Sequence, residues 1–202
     1  LPEYNTSLEI MKIIVIGPCQ SGKTAISNYL AEATENSSGQ YQPTKGVRIL
    51  EFESPQILVK GRQTITPVEL WDCSGDQKYE NCWPAFAKDV QGIIFVYSSD
   101  QKNVSTTLDV WYNNFVQSQG VKDSQCVVFC HRKSSDRPAG NPSQLSHLFA
   151  RVTWVSTSIE DADDGGKGGE QTRHEFNRFL ERLSNELNER HDQEELSIIG
   201  QA

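Results

Sequence analysis

The amino-acid sequence predicts a three-layer α/β domain on a mostly parallel sheet, and two observations carry that expectation. Apolar runs too continuous for half-exposed strands recur along the chain, and amphipathic helical stretches lie between them. Parallel strands joined through helices take right-handed connections, which put helices on both faces.

The continuous runs are IMKIIVIG (10–17), GIIFVYS (92–98) and CVVFC (126–130), the pattern of strands covered on both sides. VRILEFE (47–53) and TPVELWD (66–72) alternate instead, the first imperfectly at Val47, Ile49 and Leu50. They read as a hairpin near one edge of the sheet. From Thr107 onward, Leu108, Trp111, Tyr112, Phe115 and Val116 fall at helical spacing and make one apolar face. Thr172 and Glu175 form a capping-box pair ahead of Phe176, Phe179, Leu180, Leu183 and Leu187, which predicts a long final helix. DADDGGKGGEQ (161–171) is acidic, glycine-rich and poor in apolar residues, as a mobile surface insert would be. The organisation expected is an N-terminal tail at 1–9, one domain over 10–188 and a C-terminal tail at 189–202. Leu196, Ile198 and Ile199 leave that tail open to two readings, a frayed end or a partner contact.

At 202 residues, 36% hydrophobic and 23% charged, the chain has room for one globular domain. A net charge of −8 argues against nucleic acid and against an anionic membrane surface as partners, because both select clustered Lys and Arg. No apolar run approaches the ~20 residues of a membrane span. LPEYNTSLEI lacks a secretion pattern, and the ending SIIGQA offers no thiol for prenylation. A cytoplasmic protein with no membrane anchor is expected. Five cysteines without a CxxC pair read as reduced core thiols, and four scattered histidines argue against a zinc site.

The strongest chemical signal is GPCQSGKT (17–24), which fits G-x-x-x-x-G-K-[ST]. Such a match arises by chance in roughly one chain of this length in a hundred. It follows a predicted strand and precedes the helix-forming AISNYLAEA. Backbone amides in such a loop and the helix N-terminus together accept phosphate. The candidate nucleotide-binding run is Cys19, Gln20, Ser21, Gly22, Lys23, Thr24 and Ala25, with Lys23 reaching the β and γ phosphates and the Thr24 hydroxyl on Mg²⁺. Two later segments extend it. In YQPTKG (41–46), Thr44 can place its hydroxyl on Mg²⁺ and its amide on a γ-phosphate. In WDCSG (71–75), Asp72 can hold a water of the metal and the Gly75 amide can meet the γ-phosphate.

With these motifs in this order, the chain resembles the Ras superfamily, its Rab branch in particular. PTKGVRILEFE, WDCSGDQKYENCWPA, the helix containing WYNNF and the ending EELSI narrow the likeness to the Rab-like small GTPases of the intraflagellar transport B complex. The resemblance implies a six-stranded Ras-like domain and GTP or GDP with Mg²⁺. It also implies partners among the coiled-coil subunits of the B-complex core, and a place in the cytoplasm and the cilium or flagellum.

Departures from the Ras-like pattern are equally specific. The guanine-reading N-K-x-D is replaced by His131, Arg132, Lys133 and Ser134. Serine cannot supply a bidentate carboxylate to the base, which lowers base specificity by about 2–4 kcal/mol as two charge-assisted bonds are lost. Asp136 can substitute only if the loop is remodelled, while the stem of Arg132 or Lys133 can still cover the base. Ser156 and Thr157, with Ser158, stand where the last base-contacting motif falls. Ser37 replaces a base-stacking aromatic four residues before Tyr41. Micromolar affinity with reduced discrimination between GTP and ATP is expected.

Where such proteins carry a water-orienting glutamine, this chain has Asp76. An anion there repels the γ-phosphate and slows hydrolysis; the alternative is that Asp76 is a solvated helix cap. Cys19 also crowds the position through which an arginine finger would enter. Three roles follow in order: a nucleotide-held structural subunit, a cycling GTPase switch, and a small P-loop kinase, the last disfavoured by the lack of an arginine cluster. Tyr79, Trp83 and Phe86 suggest an aromatic patch for a partner, shared with the core.

Overall fold

A computed structural model describes residues 10–33, 42–132, 140–159 and 167–199. The strands are β1 (Met11–Ile16), β2 (Val47–Glu53), β3 (Ile57–Val59), β4 (Arg62–Thr64), β5 (Pro67–Cys73), β6 (Gly92–Ser98), β7 (Cys126–His131) and β8 (Thr153–Thr157). The helices are α1 (Lys23–Leu30), α2 (Trp83–Ala87), α3 (Val104–Tyr112) and α4 (Lys167–Ile199). Six strands make one sheet in the order β2-β5-β1-β6-β7-β8. Only the edge pair of β2 and β5 is antiparallel. This is the six-stranded Ras-like architecture, and the continuous runs became its central strands.

Their lack of polar alternation has a packing cause. In β1 and β6, Ile14, Ile16, Phe95 and Tyr97 pack on one face with Trp83, Trp111 and Phe115. Ile13, Val15, Ile94 and Val96 pack on the other with Ile26, Phe176, Phe179 and Leu183. Both faces are dry, so Ile13–Ile16 and Ile93–Tyr97 hold no charged side chain. Each fully buried side chain of this size contributes about 1.5–3 kcal/mol.

Leu108, Trp111, Tyr112, Phe115 and Val116 all reach the core, although α3 ends at Tyr112 and a π-helical turn, Asn113–Gln117, carries the last two. Trp83 and Phe86 are only 5% and 7% exposed, and the Trp83 ring lies 4.4 Å from that of Trp111. The expected aromatic partner patch is therefore mostly core, because α2 turns those rings inward. Tyr79 is half-buried beneath Lys78.

Three further expectations are corrected. Thr172 does not cap a helix: α4 begins at Lys167, and fully buried Thr172 donates its hydroxyl to the carbonyls of Gly168 and Ser158. The helix thus takes in 167–171 of the expected insert and 189–199 of the expected tail; residues 160–166, like 1–9 and 200–202, lie outside the described residues. The cysteines are not all core thiols, since Cys73, Cys126 and Cys130 are buried but Cys19 and Cys82 are exposed. Burial pushes the Cys73 thiol up to about 12, which keeps it inert.

The strand pair read as a simple hairpin carries a second one inside its connection. β3 and β4 join through Lys60 and Gly61 at φ 48° and 76°, the two left-handed residues of a tight primed turn. Asn185 and Glu181 of α4 hold the β3 backbone at Leu58 and Lys60. For function, the decisive feature is that β1, β5, β6, β7 and β8 all run parallel, so their C-terminal ends form one rim. Antiparallel β2 brings its N-terminal end, and hence Thr44, to the same rim.

Candidate nucleotide site

After Ile16 the chain reverses through left-handed backbone at Gly17, Gln20 and Gly22, with φ of 142°, 58° and 97°, before α1 begins. Reversals of this kind build anion-accepting concavities. Two of the glycines are also required by space. A Cβ on Gly17 would lie 2.1 Å from the Val96 carbonyl oxygen, and one on Gly22 2.3 Å from the His131 ring. Cys19, Gln20 and Ala25 face solvent while Ser21 is fully buried.

Lys23 is 5% exposed and folds back over this loop, donating from Nζ to the carbonyls of Gly17 at 2.9 Å and Pro18 at 2.7 Å. Burial lowers its pKa to about 8, against the upward pull of Asp72.

Three residues distant in sequence meet beside it. Thr24 of α1 donates to Asp72 Oδ2 at 2.7 Å, and Thr44 Oγ1 lies 3.0 Å from Thr24 Oγ1 and 3.4 Å from the same carboxylate oxygen. Asp72, at the end of β5, is fully buried. Burial raises its pKa, and the Thr24 hydrogen bond and Arg48 work against that rise. Its second oxygen, Oδ1, is buried without a hydrogen-bond partner among the described residues. One carboxylate with a spare acceptor and two hydroxyls is the sparse oxygen set that Mg²⁺ takes together with phosphate and water, so these residues fit the ion.

Gly75 sits directly on the phosphate loop. A Cβ there would come within 2.5 Å of Cys19 N and 2.6 Å of Gly17 O, so only glycine allows the turn after β5 to approach so closely. Asp76, next in sequence, turns the other way: it caps the 3₁₀ helix Gln77–Cys82 by accepting from Lys78 N, and pairs with Lys78 Nζ at 2.7 Å. These contacts hold its carboxyl below the usual range. The cap reading describes its side chain, and the anion expected against the γ-phosphate is paired with Lys78.

At the other end of the rim, Arg132 N donates to Thr157 O at 2.8 Å, and β7 and β8 place Cys130 beside Ser156 and His131 beside Thr157. Arg132, Ser156 and Thr157 are thus brought together as expected. His131 is not at the surface to meet a base; it is 3% exposed and packs under Gly22. Lys133, Ser134, Asp136, Ser37 and Tyr41 lie outside the described residues.

Two contributors escaped the sequence. Arg48, opposite Asp72 in the β2·β5 register, places Nη2 3.6 Å from Asp72 Oδ2 and also bonds Asn28 of α1. Gln101 accepts from Ser98 N and donates to Cys19 O, both at 2.9 Å, which ties the phosphate loop to the end of β6. The strand register would have flagged Arg48; nothing in the sequence flagged Gln101.

Fold and site together define a Ras-like P-loop nucleotide-binding domain. Residues 12–134 match the family model described as Roc, the Ras of Complex domain of DAPkinase. The intraflagellar transport protein 22 homolog of Macaca fascicularis is 38% identical over 93% of this chain and 97% of its own length, and that of Homo sapiens 37% over the same shares. The T. brucei IFT22/74/81 GTP-bound crystal structure contains a similar chain, with TM-score 0.59, 27% identity, and coverage of 84% of this chain and 95% of that one. The chain belongs to the intraflagellar transport protein 22 family of Ras-like small GTPases.

Proposed function

We propose that the chain is an atypical Rab-like subunit of the intraflagellar transport B complex that holds GTP or GDP with Mg²⁺ and turns it over slowly or not at all. It docks on coiled-coil core subunits and acts in the cilium or flagellum. The observation that carries the nucleotide part is the meeting of Thr24, Thr44 and Asp72 within 3.4 Å beside buried Lys23. The partner part draws support from the GTP-bound T. brucei IFT22/74/81 crystal structure, which contains a similar chain.

Each residue has a distinct task. Lys23 supplies a cation to the phosphates in a site dry enough to make that charge count. Thr44 joins the segment before β2 to the site and so ties nucleotide binding to the shape of the first switch. The Gly75 turn does the same for the second. Mg²⁺, when bound, draws charge from the β and γ phosphates. Turnover is slow because residue 76 is a cap, with no carboxamide to orient a water.

Denaturing freshly purified protein, identifying the released nucleotide by chromatography and following γ-phosphate release in single turnover tests this. Retained guanine triphosphate with negligible release is expected; an empty protein, or one carrying adenine nucleotide alone, would refute it. A cycling GTPase switch is the second reading, favoured by the turn of Asp76 toward Lys78, and bound GDP with measurable turnover would select it. Co-purification with the paired 74 and 81 subunits, lost when the site is emptied, tests docking.

A further inference from the structure

Arg48 is a cation beside the site whose place the nucleotide reading leaves unexplained. It leaves β2 four residues after Thr44, its Nη2 lies 3.6 Å from Asp72 Oδ2, and the same nitrogen bonds Asn28, one helical turn beyond Thr24 on α1. All three residues that fit Mg²⁺ are therefore flanked by the elements that Arg48 ties together. Guanidinium stays protonated at any working pH, and Asp72 is fully buried, so water screens their attraction only weakly.

We propose that Arg48 is a positioning residue that serves as a resident counter-charge for Asp72 and makes nucleotide retention less dependent on Mg²⁺. The inference rests on the nucleotide-binding reading above. A site without such a cation sets a bare carboxylate against the phosphates once the metal is withdrawn. Here the carboxylate remains half-neutralised, and the start of β2 remains pinned to α1 and β5, so the Thr44 segment stays in place. The same positive charge repels a divalent ion, which shifts metal binding to higher concentration.

The test is the release rate of a fluorescent GTP analogue from wild type, Arg48→Gln and Arg48→Lys, measured in excess MgCl₂ and in excess EDTA. In wild type, EDTA should speed release by less than about tenfold, because a neutralised carboxylate repels phosphate less. Arg48→Gln should raise the EDTA-to-Mg²⁺ ratio several-fold and lower the MgCl₂ concentration that half-protects the complex, while Arg48→Lys should stay near wild type. A merely structural role would speed release equally under both conditions. An unchanged ratio in Arg48→Gln overturns the proposal. So does wild-type release accelerated by about a hundredfold in EDTA, a result available even if the glutamine variant does not fold. Failure of wild type to bind the analogue at all would overturn the nucleotide reading itself, and is distinct from bound nucleotide with an unchanged ratio.

Discussion

The two ends of the rim are built to different standards. At the phosphate end the groups suited to phosphate and metal are in contact with one another: Lys23 over its loop, Thr24 and Thr44 on Asp72, Gly75 against Cys19. At the base end the strands bring Arg132, Ser156 and Thr157 together, but the first residue of the base-reading segment, His131, has gone into the core to support Gly22. Phosphate recognition depends on backbone shape and one lysine. Base recognition depends on a single carboxylate at a fixed reach. The first survives wide sequence change because glycine and strand order specify it; the second is lost when one side chain changes.

The comparison can be broken at several points. Lys23→Ala should cost the most, about a hundredfold or more in affinity for GTP and ATP alike, since a charge-assisted contact to phosphate disappears; isothermal titration measures it, and a loss confined to GTP would contradict the division. Next, the two nucleotides in Mg²⁺ should differ by no more than about tenfold in Kd, after the loss of about 2–4 kcal/mol of base contacts. Nanomolar, guanine-only binding would show that the base end is intact. Asp76→Gln should raise single-turnover hydrolysis, because a carboxamide can orient the attacking water, and no gain would mean that turnover is set elsewhere.

The smallest effect is a pH dependence confined to the phosphate end. Lys23 has a pKa near 8 in the folded protein against 10.5 ordinarily. The unfolded chain therefore binds more protons between those values. This lysine lets the stability of the nucleotide-free protein rise with pH across that window, and the contribution is lost as pH falls through about 8. Binding works in the opposite direction, because phosphate needs the charged lysine: affinity for ATP should fall several-fold from about pH 8 to 9, approaching tenfold per unit for one linked proton. Lys23→Arg should abolish the slope, and a slope that persists there would assign it to another group.

Much of this was legible in the sequence. GPCQSGKT, Thr44, Asp72 and Gly75 were all identified from residue type and spacing, because phosphate loops use glycine geometry that a motif records directly. The central strands were equally plain, since strands covered on both faces cannot hide their composition. What stayed hidden depended on direction. Asp76 is as good an anion for a phosphate as for a helix cap, and only the fold shows it bonded to Lys78. Trp83 and Phe86 are surface-binding residues or core residues according to which way a five-residue helix is rolled.

Fold class, the phosphate-loop motif and the candidate metal-site residues were thus legible in the sequence itself, because each is written in a local pattern whose physics acts within a few residues. Tertiary structure alone decided that Arg48 faces Asp72, that Gln101 holds Cys19, that His131 supports Gly22 and that Thr172 lies inside α4. All but the last are contacts across strand registers and loop ends. They are fixed by how the whole chain packs, and the place of Thr172 by its bond to Ser158, just past β8; no window of local sequence contains that information.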